Sequence, residues 1–206
     1  MGKSYFYFAA SLPYINFDSK PPMTTEEFIK ECERLLPEEE SCFISKMLST
    51  HVYDRDFLIN LISGHQGEIK SHNEAFQKGM AFTLNFRNEI TAYRAERANK
   101  DPNDYIRGER YSDPFLVEII QQAANAPTLM EGERILDRAR WQFLDELATG
   151  HFFDIEYINV YGLKLRILER YAMIKSEAGP KRFEDIKRIK FERAQNSAPE
   201  KELQKS

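Results

Sequence analysis

The stretch from Thr128 to Pro180 limits the fold more tightly than any other part of the chain. It reads as two long helices joined by one short turn. Thr128 and Glu131 have the spacing of a capping box, which satisfies backbone N–H groups that a helix start leaves without partners. Leu136, Ala139, Phe143 and Leu147 then recur at helical spacing, so that one face of the first helix is apolar. Gly150 ends this helix, and Asp154 stands where it can cap the next. The second helix carries Ile155, Ile158, Gly162, Leu165 and Leu168 on one side and Leu163, Ile167 and Ile174 on another. An apolar surface that wide packs against neighbours on more than one flank. Gly179-Pro180 closes it, with Gly at the post-helix position and Pro just beyond. The pattern predicts an all-α fold of stacked antiparallel helix pairs. It also predicts that Phe143 is buried between the two helices of this central pair.

The rest of the chain follows the same logic. Tyr5 to Pro13 is an aromatic run that plugs into the core, as a short N-terminal strand or a helix. Phe17 to Pro22 is a loop. Thr24 or Thr25 caps a helix beginning at Glu26, with Phe28, Cys32 and Leu35 on its buried side. Pro37 starts another helix, with Glu38, Glu39 and Glu40 in its first turn and Phe43, Ile44, Met47 and Leu48 as core candidates. Ala75 to Arg97 is a third long helix, with Phe82, Phe86, Ile90 and Tyr93 stepping along one face. Its polar side bears Arg87, Arg94 and Arg97 and reads as a solvated face with intrahelical pairs such as Glu89 to Tyr93. Asp101 to Asp104 is a loop. Asp113-Pro114 opens a further helix, with Leu116, Ile119, Ile120 and Ala123 facing inward.

At 206 residues the chain has room for one domain with a real core. The reading is a single helical domain over residues 1–180, then a charged helix and disordered tail over 181–206. The net charge of -4 argues against general nucleic-acid binding. Residues 18–40 are strongly acidic and residues 181–206 mildly basic. The two cysteines, Cys32 and Cys42, form no Cys-x-x-Cys pattern and suit a reducing compartment. There is no signal-peptide pattern, and no apolar run approaches the roughly 20 residues a membrane helix needs. A cytoplasmic protein without direct membrane insertion is expected.

Chemistry is thin. No phosphate-binding Gly-rich loop and no Gly-x-Ser-x-Gly elbow occurs. No catalytic constellation and no cofactor site emerges, so a non-enzymatic role is expected. His65, Glu68 and His72 have spacings that would bring them onto one helical face, as a metal site requires. Gly64 and Gly67 sit in or beside that span, and no further ligand joins it, which favours an exposed polar turn.

Two sets of residues carry resemblances. Tyr7-Phe8-Ala9-Ala10-Ser11-Leu12-Pro13, Phe17-Asp18, Pro21-Pro22 and Thr25-Glu26-Glu27-Phe28 resemble the opening of a bacterial family of unknown function. Members of that family are encoded with V-type ATP synthase subunits, in the place where the socket subunit would be expected. That socket is the helical part of archaeal and V-type ATPases that seats the central stalk on the rotor ring. Glu133-Arg134-Ile135-Leu136-Asp137, Trp141-Gln142-Phe143-Leu144 and Leu163-Lys164-Leu165-Arg166-Ile167-Leu168 resemble the repeat unit of the same socket subunit. Leu84-Asn85-Phe86-Arg87 resembles an earlier copy of its second element. Tyr161 and Lys164 stand where that repeat has Asp and Asn.

The resemblance implies a shortened form of the socket subunit. Such a part is non-catalytic and links the central-stalk coiled coil to the membrane rotor ring. Its partners would be the central-stalk subunits and the rotor ring, and its location peripheral to the inner membrane. The arginine-bearing helix faces, Arg87 and Arg94 on one helix and Arg166 and Arg170 on another, are the candidate contact elements. A transient ATPase assembly factor is one alternative. A metal-binding protein using His65, Glu68 and His72 is another.

Overall fold

The computed structural model describes residues 2–49, 74–106, 108 and 110–175. Among these residues there are seven α-helices and no strand. They are α1 (Gly2–Ser11), α2 (Thr25–Leu35), α3 (Glu38–Ser49), α4 (Glu74–Arg97), α5 (Pro114–Ala124), α6 (Leu129–Leu147) and α7 (Ile155–Lys175). A single 3-10 turn, Pro102–Asp104, follows α4. Helices next to each other in sequence pack together in pairs, α2 on α3, α5 on α6 and α6 on α7. The fold is all-helical, as the periodicity predicts. Among the described residues, no helix is long and apolar enough to cross a membrane. The residues 181–206 and the His65, Glu68 and His72 group lie outside the described residues.

The aromatic run at the start is helix, not strand. Phe8 and Ala9 are both buried although they are adjacent, while Phe6 and Tyr7 are exposed. A strand would send adjacent side chains to opposite faces, whereas a helix keeps neighbours within one broad stripe. Thr24 wins the contest for the cap of α2. Its Oγ1 accepts the Glu27 N–H at 3.1 Å, and Glu27 Oε2 accepts the Thr24 N–H at 2.7 Å. Thr128 Oγ1 likewise accepts the Glu131 N–H at 3.2 Å to start α6. Gly150, at φ 89°, turns the chain after α6. L side chains avoid that conformation, and glycine does not. Asp154 Oδ1 then accepts the Tyr157 N–H at 3.0 Å to start α7.

Helix α7 is the central element. Its Ile158, Tyr161 and Leu165 meet Phe8, Phe28, Cys32, Ile44 and Leu48 from α1, α2 and α3. Its Val160, Ile167 and Leu168 meet Trp141 and Leu144 of α6. These two flanks are the expected consequence of its wide apolar surface. A third cluster joins Phe86 of α4, Leu116 and Ile120 of α5, and Leu136 and Ala139 of α6. Two glycines permit the closest approaches. A Cβ on Gly162 would lie 2.8 Å from Phe28 Cε1, and one on Gly132 would lie 2.6 Å from the Ala123 carbonyl oxygen.

Phe143 departs from its expected place. It is half-buried, and its ring stacks on Phe82 of α4 with centroids 3.8 Å apart and planes 4° apart. The face of α6 that meets α7 carries Trp141 and Leu144 instead. Because α4 also packs on α6, this helix divides its apolar residues between two neighbours.

Candidate functional site

The loop between α1 and α2 is clamped across the central pair. Tyr161 of α7 donates its hydroxyl to the Pro13 carbonyl at 2.9 Å. Burial pushes the Tyr161 phenol up to about 12, which keeps it a donor at any ordinary pH. Phe17 meets Trp141 edge-on, with centroids 5.7 Å apart. The guanidinium carbons of Arg134 and Arg138 lie 5.6 and 4.6 Å from the centre of the Phe17 ring. Arg134 also pairs with Asp18, and Arg138 reaches Asp18 at 3.7 Å. The Thr25 hydroxyl donates to Glu169 of α7 at 2.5 Å. Pro13, Phe17, Asp18 and Thr25 of the opening segment therefore each have a partner on α6 or α7. The Phe17-Asp18 pair sits between an arginine stack and a tryptophan, and Thr25 ties the first turn of α2 to α7.

An ionic cluster also joins α6 to α7. Asp137, only 2% exposed, accepts a hydrogen bond from Arg140 at 2.7 Å and pairs with Arg170. Arg170 also reaches Glu133 at 3.5 Å. A buried carboxylate needs this compensation, because removing a charge from water costs several kcal/mol. Glu133 and Asp137 belong to the Glu-x-x-Leu-Asp motif, so that motif works as an α6–α7 lock. Tyr161 and Lys164, the two departures from the socket repeat, are also occupied. Lys164 bonds Asp145 at 2.5 Å and lies 5.3 Å over the Trp141 ring.

Of the candidate contact arginines, Arg94 is exposed, while Arg87 and Arg166 are half-buried. Arg87 and Arg94 share helix α4, and Arg166 and Arg170 share α7. Arg170 is half-buried and committed to Glu133 and Asp137. It therefore differs from a solvated contact residue whose loss would leave folding untouched. The polar side of α4 differs from its sequence reading too. Glu89 is only 2% exposed and is held bidentately by Arg110 of the following linker, at 2.8 and 2.9 Å. Spacing along α4 gives no sign of this, because the partner lies on another segment 21 positions away.

A second polar group joins three elements near the start of α7. The Tyr5 hydroxyl donates to Glu40 Oε1. Burial, then the hydrogen bond to Glu40, pushes Tyr5 up to about 12. Glu156 lies close enough to feel both Glu40 and Asp154. Burial first, and then Asp154, raises its carboxyl above the ordinary glutamate value. His151 Nδ1 lies 2.7 Å from Asp154 Oδ2. Among the described residues, no group of three or more His, Cys, Asp or Glu side chains is arranged to hold a metal ion.

The fold and its locked faces describe an all-helical protein whose long helices are tied together by ion pairs and aromatic stacks. The profile of one family, described as "Protein of unknown function (DUF2764)", matches residues 64–192. That span is more than half of the chain, and the chain belongs to this family. No curated protein and no solved structure matches it.

Proposed function

We propose that the chain is a non-catalytic subunit or accessory protein of a bacterial V-type ATP synthase, in a role like that of the socket between central stalk and rotor ring. The observation that carries this reading is the joining of its two sets of motif residues. The opening segment, Pro13, Phe17-Asp18 and Thr25, is bonded to α6 and α7. Asp137 of the socket-like motif on α6 is itself paired with Arg170 of α7, two residues beyond the motif there. A part that carries torque between a stalk and a rotor needs such stiffness more than it needs a pocket. The contact elements in this proposal are Arg87 and Arg94 on α4 and Arg166 on α7, because arginine pairs with carboxylates while packing its stem.

Binding to purified central-stalk subunits tests the proposal. Wild-type chain should bind, and binding should weaken as salt rises. Replacing Arg87, Arg94 and Arg166 together with Gln should preserve the helical circular dichroism and weaken binding. Unchanged binding by that triple variant would remove these residues from the interface. Failure of the wild type to bind any of the stalk subunits would overturn the proposal.

A further inference from the structure

Helices α1 and α3 both pack on α7, and the three bring polar groups to one corner. Tyr5 of α1 donates its hydroxyl to Glu40 Oε1 in the first turn of α3. Glu156 stands in the first turn of α7, close enough to act on Tyr5 and to feel Glu40. The other titratable groups that face Glu156 are His151 and Asp154, in the turn that leads into α7. Tyr5, Ile155 and Tyr157 pack against the cluster that holds Phe8 and Ala9 of α1, Ile44 of α3 and Ile158 of α7. The corner therefore closes over apolar side chains.

This corner is short of donors. Glu40 Oε2 and Glu156 Oε2 are both sealed from solvent, and among the described residues neither accepts a hydrogen bond. The Tyr5 hydroxyl has one proton, already given to Glu40 Oε1. His151 Nδ1 is held at 2.7 Å by Asp154 Oδ2, and Asp154 Oδ1 accepts the Tyr157 N–H. Buried carboxylate oxygens without donors favour the neutral acid, because the charged form loses most when taken from water. A proton from water is the donor such a corner can still recruit. With that proton on Glu156 the corner holds one carboxylate fewer. Burial, and then Asp154, push Glu156 in the same direction.

From the two donorless oxygens and the three helices that meet over them, we infer that this corner is a proton-operated latch. It closes with a proton bound at Glu156, and it loosens α1 and the first turn of α3 from α7 when that proton leaves. The proton passes to water on opening and returns from water on closing. Once Glu156 is ionised, its buried oxygen and that of Glu40 both lack a donor where water is shut out, and parting the helices lets water in. The closed form binds the proton more readily than the open one. Closure is therefore favoured in acid and weakens as pH rises through the raised Glu156 value. Tyr5, pushed up to about 12, stays neutral throughout and does not supply the switch. The latch rests on this corner alone and not on the ATP synthase proposal.

Amide hydrogen exchange on the full chain, corrected for the intrinsic effect of pH on exchange, reads the opening of each helix. Between the ordinary glutamate value and the raised one, the opening constant at Phe8 and Ala9 should rise with pH, by up to about tenfold per pH unit for one released proton. Ile120 of α5, which belongs to a separate cluster, should show no such rise. Glu156→Gln should abolish the rise at Phe8 and Ala9 without changing the circular dichroism. Tyr5→Phe, which removes the tie from α1 to Glu40, should increase the opening of α1 at every pH and keep the rise. A flat opening constant in the wild type, a rise kept in full by Glu156→Gln, or an equal rise at Ile120 would overturn the inference. So would a Glu156 carboxyl that titrates at the ordinary glutamate value in carbon-13 magnetic resonance of the wild type, a readout that needs no variant to fold.

Discussion

Asp137 shows why single residues matter in this protein. Its carboxylate is buried in α6 and held from two sides by Arg140 and Arg170. Arg170→Gln should cost about 3 kcal/mol in a denaturant titration, the low end for breaking a buried pair, because Arg140 remains. A cost below about 0.5 kcal/mol would show Arg170 to be an ordinary surface residue. Phe143 carries a different kind of energy. Its parallel stack on Phe82 should give a coupling of about 1 kcal/mol in a double-mutant cycle. Phe143→Ala alone should cost about 2 kcal/mol, less than a fully buried phenylalanine. Glu156 acts in the opposite sense. Burial raises its folded-state pKa, so the fold binds its proton more readily than the unfolded chain does. This group therefore gains stability for the fold as pH falls through the raised value, and costs stability where it is ionised. Glu156→Gln should raise the melting temperature at pH about 8, with an advantage that shrinks as the pH is lowered. An advantage that grows in acid would contradict that sign.

At the scale of elements, helix ends were legible in the sequence because caps are local. Asp113, Thr128 and Asp154 each bond a backbone N–H two or three residues on, as their positions imply. The choice between Thr24 and Thr25 was not local. Thr25 is drawn away by Glu169, which lies 144 positions further on. Thr24→Ala should therefore cost about 1 kcal/mol through the lost cap. Thr25→Val should leave the cap of α2 intact and instead loosen its contact with α7, seen as faster amide exchange at the start of α2. The strand or helix question for α1 was open for the same reason. A short aromatic run fits either period, and only the burial of both Phe8 and Ala9 against α2, α3 and α7 decides it.

At the scale of the molecule, the antiparallel pairing and the central place of α7 followed from periodicity, since an apolar stripe must find cover. The cross-links did not. Glu89 with Arg110, Asp18 with Arg134 and Tyr5 with Glu40 join segments that sequence spacing cannot relate. These links supply the stiffness on which the proposed function depends, by holding the opening loop to α6 and the first helix to α3. The candidate contact arginines were visible as residue types, but only the structure separates Arg170, bound to Asp137, from exposed Arg94. We propose that this cross-linked helical body is part of a bacterial V-type ATP synthase. Purifying the intact enzyme from the source cell and quantifying its chains by mass spectrometry tests this proposal. This chain should remain with the complex in a fixed ratio to the central-stalk subunits. Its absence from intact, active complex, in a cell that expresses it, would contradict the proposal.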